Sequence, residues 1–446
     1  MAHCVEVIVT TDTNNSFSTS SVWNPVTAVN LMGYKNGGIA ESRTLNFVGD
    51  DYLVVAESSK PLLHVWQLNS QMPVRDIRFV MPGKITALAV SRDGMYIVAG
   101  IDEKIYIWHT LSGTLLTMLE RHYQTVCNIK FTPDDKFFIS SSLDGTVMVW
   151  ALVNVVGLPE YGLLTQTIAG RHDPMHLSSH HTLKVTDLCI SKMGIVSRLA
   201  TVSIDRTCKI MNLTSGELLL NVIFPEQLYS VTFDILELCV FVGSSTGNIY
   251  QIDLANDYGN KEVIYGSEVE KQLFSGHSKG VTCLSVSFQG KTLMSGSSDC
   301  TVRIWDIASR QQINIITLKG SVTNAFFTMN KQNIYKDKFV PKIMLQTLKR
   351  SQGDMEIVMD VFTPKNNFWQ KYMEIEPKIC VQEKVVESEI APEPNGSKYK
   401  EEIKALKKKS QKSLKKVIER DDTKKRSSIF RITFLLLTTC LKFCIK

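Results

Sequence analysis

Histidine, aspartate and a serine or threonine fall together three times in this sequence, at recurring distances. His277 precedes Asp299 by 22 residues and Asp299 precedes Trp305 by 6; His122, Asp144 and Trp150 repeat both distances, and His181, Asp205 and Met211 follow at 24 and 6. Such a set could do nucleophilic chemistry: a hydroxyl attacks a carbonyl, the imidazole takes its proton, and the carboxylate orients the imidazole. A hydrolase needs that set once, beside donors placed for the developing oxyanion. Here it recurs in register, and the two matches to GxSxG, GSSTG from Gly243 and GHSKG from Gly276, lead into the strand-like runs NIYQIDL and VTCLSVSF, not into the helix that follows a nucleophile elbow. A Walker A loop, an HExxH zinc motif and a kinase signature are absent. The expectation is a repeated structural device in a protein that is not an enzyme and takes no cofactor or metal. The ten cysteines show no CxxC pair or ligand spacing, as expected of free thiols in a reducing compartment.

The elements that must hold these residues recur as well. Aligned on the residue that closes each segment, SSVWNP (Trp23), LLHVWQL (Trp66), IYIWHT (Trp108), VMVWAL (Trp150), CKIMNL (Met211), IYQIDL (Ile252) and VRIWDI (Trp305) follow at 43, 42, 42, 61, 41 and 53 residues. A period of about 40 to 45 residues is that of a four-stranded propeller blade. Apolar residues alternate in stretches such as VTCLSVSF and TVRIW, which suits strands packed between neighbouring blades. The two long intervals hold GLPEYGLLTQTIAGRHDPM and NDYGNKEVIYGSEVE, both polar and turn-rich, and both are expected to be loops.

These repeats resemble the WD40 family, most fully in GHSKGVTCLSVSFQGKTLMSGSSDCTVRIWDI, Gly276 to Ile307. The resemblance implies a hydrogen-bonded chain in each blade, running from the Asp of a turn through the His of the preceding loop and a strand hydroxyl to the Trp. Carried over, the chains are His277, Ser295, Asp299 and Trp305; His122, Ser140, Asp144 and Trp150; and His181, Thr201 and Asp205, where Met211 replaces the Trp. Val80-Met81 stands where Gly-His is expected ahead of the IYIWHT segment.

Ring closure accounts for the ends of the array. VEVIVTT, SSVWN and TAVNLMG supply three strands, and after Trp305 come two more, QQINIITL and SVTNAFFT. The first completes the last blade, and the second fills the place missing beside the N-terminal strands, so that no sheet edge is left open at the seam. The expected fold class is all-β: a seven-bladed WD40 β-propeller over residues 1–328, its N- and C-terminal strands sharing one blade, followed by a partly disordered, helix-containing tail. Eight blades, drawing on residues 339–380, are the alternative.

Five segments narrow the family: RHYQTVCNIKFTPDD from Arg121, SHHTLKVTDL from Ser179, SGELLLNVIF from Ser215, GSSTGNIYQIDL from Gly243 and LKGSVTNAFF from Leu318. They lie outside the general repeat consensus and resemble a ribosome-biogenesis family of WD40 proteins. That resemblance implies a noncatalytic subunit of a nuclear complex that matures the large ribosomal subunit and supports removal of the internal spacer from precursor rRNA. Its partners would be helical-repeat scaffold proteins and the large-subunit pre-ribosome; its place would be the nucleus, nucleolus and nucleoplasm, with some in the cytoplasm. The alternative is a substrate receptor for ubiquitin ligation or another signalling platform, and a chromatin or replication-licensing role is attributed to fungal relatives.

The tail divides by composition. Residues 329–397 read as a linker or strap against the propeller, with Trp369 in NNFWQKYM as a docking anchor. Residues 398–426 hold thirteen Lys or Arg against five Asp or Glu, so the net charge of +6 is the tail's. Ile403, Leu406, Leu414 and Val417 fall on one face of that charged helix, and the resemblance makes it the candidate homodimer element. Its lysine clusters are alternatively an rRNA contact. In residues 427–446 the uninterrupted low-charge run, Ile432 to Leu441 between Arg431 and Lys442, falls short of the roughly 20 residues a spanning helix needs, so no membrane is expected.

Overall fold

The computed structural model describes residues 6–14, 18–75, 77–156, 173–192, 197–254, 262–265, 273–336 and 339–351. They form seven sheets arranged as a propeller, antiparallel except for one added strand. Blade 1 joins Val322–Met329 to Glu6–Asp12, Ser20–Trp23 and Asn30–Tyr34. Its seam pairs Ile8 with Phe327 and Thr10 with Ala325, so the two ends of the array close the ring through main-chain hydrogen bonds. Blade 2 is Asn46–Val48, Tyr52–Ala56, Leu62–Gln67 and Phe79–Val80; blade 3 is Ile85–Val90, Tyr96–Ile101, Lys104–His109 and Leu115–Glu120. Blade 4 is Val126–Phe131, Phe137–Ser142, Val147–Ala151 and His176–Ser178; blade 5 begins with Val185–Ile190, Arg198–Ser203, Thr207–Asn212 and Leu218–Ile223. Leu228–Phe233, Cys239–Ser244, Ile249–Asp253 and Leu273–Phe274 make blade 6, and Val281–Val286, Thr292–Ser297, Thr301–Asp306 and Gln312–Thr317 make blade 7.

The core lies between blades because both faces of each middle strand are covered. Val98 and Ile107 of blade 3 pack with Ile129 and Trp150 of blade 4, and Phe241 of blade 6 packs with Leu293 and Trp305 of blade 7. Tyr96–Ile101 and Val147–Ala151 carry apolar residues at nearly every position, as strands covered on two sides do.

One segment departs from expectation, and one follows the strap reading over the eight-bladed alternative. NDYGNKEVIYGSEVE is not wholly a loop: Glu262–Ile264 adds a fifth strand to blade 5, parallel to Leu218–Ile223. The outer strand of blade 5 would otherwise present an open edge, and Tyr265 secures the addition by stacking on Phe224 at 5.0 Å and donating to the Gln251 carbonyl at 3.0 Å. Residues 339–351 form no blade. They lie as a strap across blades 2 and 3, burying Leu345 and Leu348 with Val65, Phe79 and Leu115. Asp51 accepts from the main-chain N–H of Lys342 at 2.6 Å and of Ile343 at 2.8 Å, and the Lys349 N–H donates to the Gly113 carbonyl at 2.7 Å. Gly113 has φ +65°, and a Cβ there would stand 2.3 Å from the Thr347 carbonyl oxygen, so glycine is required for the strap to lie this close.

Candidate functional site

In blade 7 the loop ahead of the first strand carries His277 onto the second strand. His277 Nε2 lies 2.7 Å from Ser295 Oγ, His277 Nδ1 lies 2.9 Å from Asp299 Oδ2, and Trp305 Nε1 donates to Ser295 Oγ at 2.8 Å. An ionised carboxylate only accepts, so the Nδ1 proton points at Asp299 and Nε2 accepts from the Ser295 hydroxyl, which in turn accepts from Trp305. Every polar hydrogen in the chain then has an acceptor. Asp299 also fixes the loop itself by accepting from the N–H of Ser278 at 3.1 Å.

Blade 4 brings together His122 Nε2 and Ser140 Oγ at 2.8 Å, with Trp150 Nε1 donating to Ser140 at 2.9 Å. Its carboxylate stands back: Asp144 is 3.6 Å from His122 Nδ1, and Thr146 Oγ1 takes that place at 3.0 Å. In blade 5, His181 Nδ1 is 3.0 Å from Asp205 and Nε2 is 2.9 Å from Thr201 Oγ1. Met211 in the tryptophan's position leaves Thr201 without an indole donor, and its sulfur accepts from Ser178 Oγ at 3.2 Å.

Ser140, Ser295 and Thr201 are each 0% exposed. A hydroxyl sealed between strands is closed to a substrate, and each set ties the loop that enters a blade to that blade's own strands. Truncating Ser295 to alanine strands both the Trp305 N–H and the His277 Nε2 in a dry interior. Ser295→Ala is therefore expected to cost about 2 to 4 kcal/mol, read as a shift of the denaturation midpoint, whereas Ser278→Ala, whose backbone alone is used, should change it by only about 0.5 kcal/mol. Equal effects of the two would contradict the buried chain.

The same groups make stability depend on pH. Burial pushes the His277 and His122 imidazoles below their ordinary 6.5, against the pull of Asp299 and Asp144. Burial also raises Asp299, but hydrogen bonds from Thr301 and His277 outweigh it and bring its carboxyl to about 2. Hydrogen bonds led by Thr146 hold Asp144 low, and those led by His181 and Thr207 hold Asp205 low, again against burial. All five groups are depressed in the folded state, so the unfolded chain binds more protons and stability rises with pH. The histidine contribution is complete above pH 6.5 and is lost as pH falls from there through the folded values; the carboxylate contribution is lost below about 3.8. Chemical denaturation at about pH 7.5 and pH 5 should show the lower midpoint at pH 5. An unchanged or higher midpoint at pH 5 would contradict the assignment.

Three further tryptophans use acceptors that the repeat spacing does not point to. Trp23 Nε1 donates to Thr10 Oγ1 at 2.9 Å, in the strand beside it. Blades 2 and 3 have Val55 and Ala99 where blades 4 and 7 have serine. There the indoles turn to main-chain carbonyls: Trp66 to Lys35 at 3.0 Å, and Trp108 to Lys349 of the strap at 2.8 Å.

A second constellation crosses the channel. Arg43, ahead of blade 2, donates to the carbonyls of Thr186 in blade 5 and Tyr229 in blade 6 and lies 3.3 Å from the Asp187 carboxylate. Asp187 accepts from Asn128 of blade 4 at 2.8 Å and from the Val231 N–H of blade 6 at 3.1 Å, with Lys130 at 3.6 Å. Arg43, Asn128, Lys130 and Asp187 line a cavity of about 460 Å³, in which the one Asp187 carboxylate serves both cations. The arrangement ties four blades together. Among the described residues no group of His, Cys, Asp or Glu could hold a metal ion, and no helix is long and apolar enough to cross a membrane. Ile403, Leu406, Leu414 and Val417 lie outside the described residues.

Comparison with known proteins agrees with this architecture. The family described as WD domain, G-beta repeat matches residues 76–109, 113–151 and 268–306. The chain is 34% identical over 427 residues to WD repeat-containing protein 18 of Danio rerio, covering 92% of this chain and 96% of the relative. It is 38% identical over 346 residues to the Homo sapiens protein of that name, covering 77% and 78%. Pre-rRNA-processing protein pro-1 of Caenorhabditis briggsae is 26% identical over 333 residues, 72% of this chain and 60% of the relative.

Proposed function

Because the chain belongs to the WD repeat-containing protein 18 family, we propose that it is a noncatalytic scaffold subunit of a nuclear complex that matures the large ribosomal subunit and supports pre-rRNA internal-spacer processing. The observation that carries this reading is the likeness to a relative of that name along 92% of the chain. The pre-rRNA-processing name of the nematode relatives points the same way. The propeller offers rigid surfaces for partners: Tyr123, 88% exposed, sits on a loop whose N–H is held by Asp144 at 3.0 Å. An aromatic presented on a fixed backbone loses little entropy when a partner covers it. The partners are helical-repeat scaffold proteins and the large-subunit pre-ribosome, in the nucleolus and nucleoplasm, and residues 398–426 pair two copies through Ile403, Leu406, Leu414 and Val417.

Affinity purification of the tagged chain, followed by mass spectrometry and a sucrose gradient, tests the proposal. Helical-repeat partners and large-subunit precursors should be recovered. Cullins or signalling proteins in their place would replace this function with that of a substrate receptor. A second chain ending at Glu356 locates the binding: retained partners place it on the propeller, lost partners on the tail.

A further inference from the structure

The strap that closes over blades 2 and 3 is also strongly basic. Between Lys331 and Arg350 the sequence holds six Lys or Arg and one Asp. Lys331, Lys336 and Lys342 line an open cavity of about 570 Å³ together with the amides of Gln332 and Asn333. Asp50 is the acidic residue of that lining, and it is occupied by Lys331 at 2.9 Å. Lys336 Nζ reaches Asn333 Oδ1 at 2.9 Å, and no carboxylate among the described residues pairs with Lys336, Lys342 or Lys349. The basic surface continues onto blade 2. Arg350 donates to the Val80 carbonyl at 3.1 Å, and Arg75 and Arg78 flank Val74 and Ile77, which pack on the same cluster as Leu345 and Leu348. Tyr335, 53% exposed, stands directly before Lys336.

From this we infer that the strap face of blade 2 binds the phosphodiester backbone of single-stranded RNA. Uncompensated ammonium groups around a concavity favour an anion, and a row of them favours a polyanion whose condensed counterions are released on binding. The Asn333 amide is held by the Asp50 carbonyl at 2.7 Å and accepts from Lys336, so Gln332 beside the lysines is the amide that donates to phosphate or ribose oxygens, and an exposed tyrosine gives a base a ring to stack on. An acidic protein segment is the rival polyanion, but it has no base for Tyr335 to stack on, and three lysines and three amide side chains outnumber Met329, Phe339 and Val340 in this lining. The RNA contact is therefore made by the folded propeller, separately from the basic run at residues 398–426.

The test uses the purified full-length chain and a labelled poly(U) RNA of about 20 nucleotides, followed by fluorescence anisotropy between about 50 and 200 mM salt. Lys336→Gln, Lys342→Gln and Lys349→Gln are combined in one variant, with Lys407→Gln, Lys408→Gln and Lys409→Gln combined in another. The strap variant should bind on the order of tenfold or more weakly and show a shallower salt dependence, by about 0.7 per lost contact. Its thermal midpoint should match the wild type, because all three side chains are exposed. Unchanged affinity and slope would overturn the assignment, as would loss of all binding in the tail variant alone. Displacement of the RNA by an equal concentration of a polyglutamate peptide of the same length would assign the surface to an acidic protein instead. Binding is read on purified components, so a failure here is distinct from failure to sediment with pre-ribosomal particles.

Discussion

A chain ending at Asn330 is expected to lose most of its folding stability, while one ending at Glu356 keeps it. The shorter chain retains all seven sheets, including the Val322–Met329 strand that closes the ring. What it lacks is the strap. Burying each of Leu345 and Leu348 contributes about 1.5 to 3 kcal/mol. Without Lys349 the Trp108 N–H, on a ring that is 0% exposed, has no acceptor, which costs a further 1 to 3 kcal/mol or so. Asp51, 2% exposed, loses both N–H groups that hold its carboxylate, and its other oxygen already has no partner. The sum is roughly 5 to 10 kcal/mol, comparable with the whole stability of an ordinary domain. Guanidinium unfolding of the two chains, followed by tryptophan fluorescence, measures it directly. Trp108→Phe isolates one part, because in that background the truncation should cost about 1 to 3 kcal/mol less. Equal midpoints for the two chains would show that the strap contributes nothing.

The strap was legible in the sequence only as a possibility, and the reason is chemical. Apolar periods and side-chain hydrogen bonds leave letters behind: the Trp-to-Trp intervals fixed the blade length, and the extra strand SVTNAFFT identified the residues that close the ring beside Glu6–Asp12. A main-chain carbonyl leaves none. That Ala99 stands where a hydroxyl is expected says that Trp108 needs another acceptor, but every residue offers a carbonyl, and Lys349 lies far along the chain. Thr10 escaped notice for a related reason. It precedes Trp23 by 13 residues, where Ser140 and Ser295 precede their tryptophans by 10, because the turn in blade 1 is longer. The Glu262–Ile264 strand is too short to show alternation, and its place beside Leu218–Ile223 was set by an open edge elsewhere.

The channel constellation was not legible at all, since Arg43 and Asp187 belong to no repeated motif, and it carries the second large expected effect. Asp187→Ala should destabilise the protein by about 3 to 5 kcal/mol, because it leaves the Arg43 guanidinium half-enclosed beside Lys130 with no carboxylate, and strands Asn128 and the Val231 N–H. Asp187→Asn is a milder change. It keeps an oxygen for Asn128 but removes the charge, so it should fall between wild type and alanine. The pair can be tested apart from its surroundings by a double-mutant cycle. If the cost of Asp187→Ala comes mainly from the abandoned charge, then Arg43→Met combined with Asp187→Leu should recover much of it, since apolar replacements of similar volume remove both desolvation penalties together. Additive losses in the double variant would instead mean that Arg43 acts through the Thr186 and Tyr229 carbonyls and that the ion pair is incidental. Sheet seams close this ring around its rim, whereas Arg43 reaches across the axis from blade 2 to blades 5 and 6, so its removal should loosen the ring where no sheet hydrogen bond can compensate.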